Sequence, residues 1–149
     1  MERECIFCDL LSGKRKEHVN KLPFKILKET RHSVSFLSID VPKKTEINIL
    51  IIPKKHFELF EDVPDRILKD IMKHCKTIIK SLKKKYSGAN LIMNNGWDAN
   101  QRVPHVHFHI YPRKKNDGFY KPFSKVMKRM KDTGEFERTY REVLRLLKD

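Results

Sequence analysis

Three histidines stand at every second position in His105-Val106-His107-Phe108-His109, and Ile110-Tyr111-Pro112-Arg113 follow. Such alternation fits a half-buried β-strand, whose side chains point to opposite faces with a period of two. His105, His107 and His109 then share one face with Tyr111, while Val106, Phe108 and Ile110 pack on a core. Pro112 is expected to end the strand. A row of imidazoles can bind metal, bind phosphate, or act as nucleophile and base near neutral pH. The bland alternative, a solvated strand face, sits poorly with 7 histidines in 149 residues, three of them in strict alternation.

The remaining pattern fits one domain of α+β class: an antiparallel sheet of about five strands with helices largely on one face. Phe24 to Thr30 and His32 to Ile39 read as a hairpin, and Asp40 to Lys44 as a loop. Ile47 to Ile52 is a near-continuous apolar run, hence a central strand stopped by Pro53. A helix is expected from Asp62-Val63-Pro64-Asp65. Its apolar stripe is Ile67, Leu68, Ile71, Met72, Cys75, Ile78, Ile79 and Leu82, with lysines on the remaining surface and Gly88 beyond its end. Leu91-Ile92-Met93 is a further strand, and a terminal helix presents Phe136, Tyr140, Val143, Leu144 and Leu147. The division expected is a domain over 1–113 and a basic C-terminal extension over 114–149, whose helix packs on the same domain.

Lys and Arg number 33 against 19 acids, a net charge of +14. Polyanions are natural partners for such a chain. The excess is spread: Arg113 onward holds 12 basic and 6 acidic residues, leaving 21 and 13 before it. That argues against a dedicated basic arm. No apolar run approaches a membrane span and no signal-peptide pattern opens the chain, so the cytoplasm is the expected compartment. The lysine-rich helix is read as covering the sheet and not as a membrane binder. Cys5, Cys8 and Cys75 are too few and too oddly numbered for a disulfide framework. Cys75 lies on the apolar stripe and reads as packing. The pair Cys5-Ile6-Phe7-Cys8 is half of a zinc site, a redox pair or chance.

Cys5-Ile6-Phe7-Cys8, Phe36-Leu37-Ser38-Ile39, Ile52-Pro53-Lys54-Lys55-His56, Asn94-Asn95-Gly96 and the histidine row occur in one order. In that order they resemble the histidine-triad nucleotide hydrolases, over roughly Cys5 to Arg113. The resemblance implies a homodimer joined edge to edge, with one nucleotide site per subunit. It implies hydrolysis or nucleotidyl transfer of purine nucleoside phosphate conjugates, such as dinucleoside polyphosphates or phosphoramidates. His107 would attack the α-phosphorus and form a nucleotidyl-histidine that water hydrolyses to a nucleoside monophosphate. Its other ring nitrogen would donate to a backbone carbonyl near His105. His109 would donate to phosphate oxygens, and Asn94 and Gln101 would bind phosphate or leaving group. In the zinc-containing branch the ligands correspond to Cys5, Cys8, His56 and His105, a closed tetrahedral set for a structural Zn2+. A catalytic metal on the histidine row is disfavoured, because no carboxylate accompanies it.

By the same resemblance Ile6, Phe7, Leu10, Phe36 and Ile39 would enclose the nucleobase. On composition alone these are ordinary core residues. The family's ribose carboxylate aligns with Ser38, so Asp40, two residues on, is nominated in its place. Asn48 replaces a histidine, Asn100 a glycine, and Arg102 a small residue beside the phosphate loop. The added cation of Arg102 would favour polyphosphate substrates. Two further readings compete. A nucleic-acid-binding or end-processing module rests on charge alone, without an aromatic stacking platform, and is not favoured. A catalytically quiet nucleotide sensor rests on the departures in the phosphate loop.

Overall fold

The computed structural model describes residues 4–119 and 123–148. Five strands form one antiparallel sheet: β1 (Ile26–Glu29), β2 (Ser33–Leu37), β4 (Ile49–Pro53), β5 (Gly88–Met93) and β6 (Phe108–Arg113). Their order across the sheet is β1-β2-β4-β6-β5. A two-stranded ribbon joins β3 (Asp40–Pro42) to β7 (Met127–Arg129). The helices are α1 (Ile6–Leu11), α2 (Asp65–Leu82), the short α3 (Phe123–Val126) and α4 (Thr133–Leu147). Among the described residues, no helix is long and apolar enough to cross a membrane.

The pleat sorts the two faces of the sheet. Every residue of β2 and β4 is buried, as their central position requires. Leu37, Ile49, Ile51, Phe108 and Ile110 join the core beneath α2, with Ile67, Ile71, Cys75, Ile78 and Leu82. Val34, Phe36, Leu50 and Ile52 belong to a second cluster with Cys5, Phe7 and Leu10 of the α1 region. Fully burying each aliphatic side chain is worth about 1.5–3 kcal/mol, so packing, more than propensity, holds α2 in place. The helix also buries His74, which faces Ser33 and Ser35 of β2. Met72, expected on the apolar stripe, is 39% exposed, because it lies at the margin of a stripe already filled by Ile71 and Cys75.

Two other local expectations are corrected. Asp40 to Pro42, expected as loop, is strand β3, because a partner strand arrives from residues 127–129. Asp, Pro and Lys are local turn signals that cannot register so distant a pairing. Pro112, expected to end its strand, lies within β6 opposite Ala89. The β4 ladder reaches β6 only as far as Ile110, so beyond it that edge of β6 is open and a missing N–H is tolerated.

Residues beyond 113 are built into this frame. Asp132 caps α4 by accepting from the Glu135 N–H at 2.8 Å, and Glu135 accepts from the Lys131 N–H at 2.9 Å. Phe136 and Val143 enter the core under α2, and the Tyr140 hydroxyl donates to the Ile26 carbonyl at 2.7 Å.

Candidate active site and metal cluster

Cys5 stands immediately before α1 and Cys8 one turn later, so both thiols face the same way. His56 follows the end of β4, and His105 precedes β6. One donor atom from each lies within 4.8 Å of the others. Cys5 Sγ is 3.4 Å and Cys8 Sγ 3.6 Å from His105 Nδ1, and Cys8 Sγ is 3.4 Å from His56 Nδ1. Sulfur and nitrogen ligands of a tetrahedral zinc stand about 3.6 Å apart, given Zn–S near 2.3 Å and Zn–N near 2.0–2.1 Å. His105 Nε2 faces the Pro53 carbonyl at 2.9 Å, so it carries the ring proton and turns the Nδ1 lone pair to the thiols. Two thiols and two imidazoles in this geometry fit a closed, four-coordinate metal site.

The strand expected for the histidine row begins only at Phe108. His105 and His107 occupy the segment before it, where His105 can turn toward the cysteines while His107 and His109 remain neighbours, ring centroids 5.0 Å apart. His107 Nδ1 lies 2.6 Å from the His105 carbonyl. A carbonyl only accepts, so Nδ1 bears the proton and Nε2 keeps its lone pair. Burial lowers the His107 pKa, against the opposing pull of that carbonyl, which favours a neutral ring. His109 is pushed down to about 3 by burial and by His107. Its Nδ1 meets Asn48 Oδ1 at 3.2 Å and the Tyr111 hydroxyl at 3.4 Å. The amide oxygen of Asn48 only accepts, its orientation being set by the bond from Nδ2 to the Asp40 carbonyl, so Nδ1 of His109 bears the proton and Nε2 keeps its lone pair.

Both rings line a cavity of about 650 Å³, within the range of small-molecule sites. Ile6, Phe7, Phe36, Ile39, Asp40, Asn94 and Arg102 also line it. Two nominated residues stand apart. Leu10 is buried in the cluster behind Phe7 and Phe36. Gln101 spends its amide within the loop: Oε1 accepts from the Gly96 N–H at 2.6 Å and Nε2 donates to the Glu58 carbonyl at 2.7 Å. Asn95 is similarly engaged, with Glu61 and Phe60. Asn94 is more loosely held, by a long 3.5 Å contact to the Asn100 carbonyl.

The departures in the loop have a physical account. Asn100 adopts φ 67°, the left-handed region that asparagine tolerates best after glycine. Its side chain accepts from Arg102 Nε at 2.7 Å, and the guanidinium stacks 4.4 Å over the exposed Trp97 ring. Asn48 bridges Asp40 and His109 by donating to the Asp40 carbonyl at 2.8 Å.

Several cavity residues carry no sequence signal. Met127 and Arg129 arrive from β7, beyond every motif. His18 and Val19 come from the connection between α1 and β1. The His18 ring lies 6.4 Å from that of Phe36, and burial, with Arg15, lowers its pKa to about 4. Its Nε2 is buried without a hydrogen-bond partner among the described residues. A separate depression of about 440 Å³, between Lys85 and the Arg138, Arg141 and Arg145 face of α4, shares no residue with the histidine cavity.

The HIT domain family model matches residues 19–116. An uncharacterised HIT-like protein of Methanocaldococcus jannaschii is 38% identical over 82% of this chain and 88% of its own length. A Saccharomyces cerevisiae protein named as an adenosine 5′-monophosphoramidase is 36% identical over 76% of this chain and 65% of its own length. A zinc-bound histidine triad family protein from Mycobacterium smegmatis superposes with a TM-score of 0.74 at 25% identity, covering 97% of this chain and 95% of that one. A histidine triad nucleotide-binding protein from Sulfolobus tokodaii shares the fold, with a TM-score of 0.76 at 23% identity, covering 96% of this chain and 91% of that one.

Proposed function

This chain belongs to the HIT family, and on that premise we propose that it hydrolyses purine nucleoside 5′-phosphate conjugates through a nucleotidyl-His107 intermediate. The observation that carries the proposal is the 2.6 Å bond from His107 Nδ1 to the His105 carbonyl. It favours the tautomer in which Nε2 is the nucleophile, in a ring that lines a nucleotide-sized cavity.

In the first step the Nε2 lone pair attacks the α-phosphorus and the bond to the leaving group breaks. With Nδ1 still protonated, the bonded ring is cationic and departs readily. In the second step water attacks phosphorus, the N–P bond breaks, and a nucleoside monophosphate leaves with the imidazole restored. Asn94 stabilises the non-bridging oxygens as charge shifts among them, with His109 beside them. Arg102 adds a cation at the leaving-group side, and Gln101 shapes the loop from within. The nucleobase lies among Ile6, Phe7, Phe36 and Ile39. The yeast phosphoramidase supports adenosine phosphoramidates as one substrate class. A structural zinc on Cys5, Cys8, His56 and His105 pins α1 to the base of the catalytic segment, and the zinc-bound mycobacterial relative supports this assignment. The working unit is proposed to be a homodimer.

The test is release of AMP from adenosine 5′-phosphoramidate and from diadenosine tetraphosphate. Turnover of at least one is expected. Binding of both with no AMP release would leave a nucleotide sensor and end the enzymatic proposal.

A further inference from the structure

Asp40 and Arg129 are directly opposite each other across the β3–β7 ribbon. The pair forms a fork: Arg129 Nε donates to Oδ1 at 2.9 Å and Nη2 to Oδ2 at 3.1 Å. Both residues line the histidine cavity. The Asp40 backbone is tied on two sides, its N–H donating to Ser38 Oγ at 3.2 Å and its carbonyl accepting from Asn48 Nδ2 at 2.8 Å. Asn48 in turn contacts His109, so the carboxylate is built into the same frame as the triad.

A carboxylate offers about four acceptor positions, and the guanidinium fork takes two. Two remain for donors, which is what a vicinal pair of hydroxyls supplies. Arg129 is already neutralised by Asp40, so it is poorly placed to act as a phosphate anchor. We propose that Arg129 is a positioning residue, holding the Asp40 carboxylate at the cavity rim as acceptor for the 2′- and 3′-hydroxyls of a ribose. The C-terminal extension thereby selects ribonucleosides, using a strand that lies outside the matched family region, residues 19–116. The inference rests on the nucleotide reading above.

Isothermal titration of AMP and of 2′,3′-dideoxy-AMP tests it without requiring turnover. The wild-type protein is expected to prefer AMP by about tenfold or more, the loss associated with a hydrogen bond to a charged acceptor. Arg129→Ala is expected to reduce that preference to about threefold or less. Arg129→Lys should recover part of it, since lysine keeps the charge but not the fork. A merely structural role would weaken both ligands together and leave the ratio unmoved. An Arg129→Ala ratio equal to wild type overturns the proposal, as does a wild-type protein that binds both nucleotides equally. Wild type binding neither nucleotide would overturn the functional reading, and this inference with it.

Discussion

Which ring nitrogen of a histidine is free depends on one hydrogen bond. The His105 carbonyl decides this for His107, and burial keeps the ring neutral. Residue by residue, the loop from Asn94 to Arg102 shows how a departure can be absorbed. Asn100 takes a left-handed backbone that glycine would take freely, and its amide then steers Arg102 onto Trp97. The guanidinium is therefore held in one place at the cavity, where the proposed reaction would bring a negative leaving group. Arg102→Ser is expected to lower kcat/KM for diadenosine tetraphosphate relative to adenosine 5′-phosphoramidate by about fivefold, the scale of an exposed charge contact. An unchanged ratio removes this role. Asn94 and Arg102 can be found from motif order, and both line the cavity. His18 cannot, since a histidine in an irregular connection has no periodicity to betray its direction.

Between elements, the contact of α2 with β2 is polar at its centre. His74 Nδ1 is 2.9 Å from Ser33 Oγ and Nε2 is 3.1 Å from Ser35 Oγ, while Ser33 also donates to Asp70 at 2.8 Å. Burial lowers the His74 pKa to about 4 from 6.5, against the attraction of Asp70 and with a small contribution from Lys28. A histidine depressed in the folded state contributes fully above its unfolded value. That contribution is lost as pH falls from about 6.5 toward 4. It is on the order of 3 kcal/mol, at about 1.36 kcal/mol for each pH unit between the two values. Thermal melts should show a shallower loss of Tm over that window for His74→Gln than for wild type; parallel curves would rule out His74 as a source of acid lability. The strands β2 and β4 and helix α2 are legible in the sequence because their apolar periods are local. Strand β3 is not, because Asp40 pairs with Arg129, 89 residues away.

Across the whole molecule, the cysteine and histidine cluster ties together Cys5 and His105, which are 100 residues apart in sequence. Each ligand can be nominated from sequence, but only the fold shows that their donor atoms converge within 4.8 Å. Elemental analysis of the purified protein is expected to give one zinc per chain. Chelation should lower Tm by about 5 °C or more, and Cys8→Ser should do the same without chelator. A metal-free protein with an unshifted Tm would remove the structural zinc. The extension marks the boundary of what motifs reveal, since β7 supplies Met127 and Arg129 to a cavity whose other walls lie before residue 112.

The proposed catalysis depends on a covalent bond from His107 to phosphorus. Rapid mixing with adenosine 5′-phosphoramidate, acid quenching and intact-mass spectrometry test it most directly. Wild type is expected to carry one adenylyl group that disappears as AMP accumulates, and His107→Ala to carry none. Steady AMP release by His107→Ala, or an adduct mapped to another residue, would contradict it.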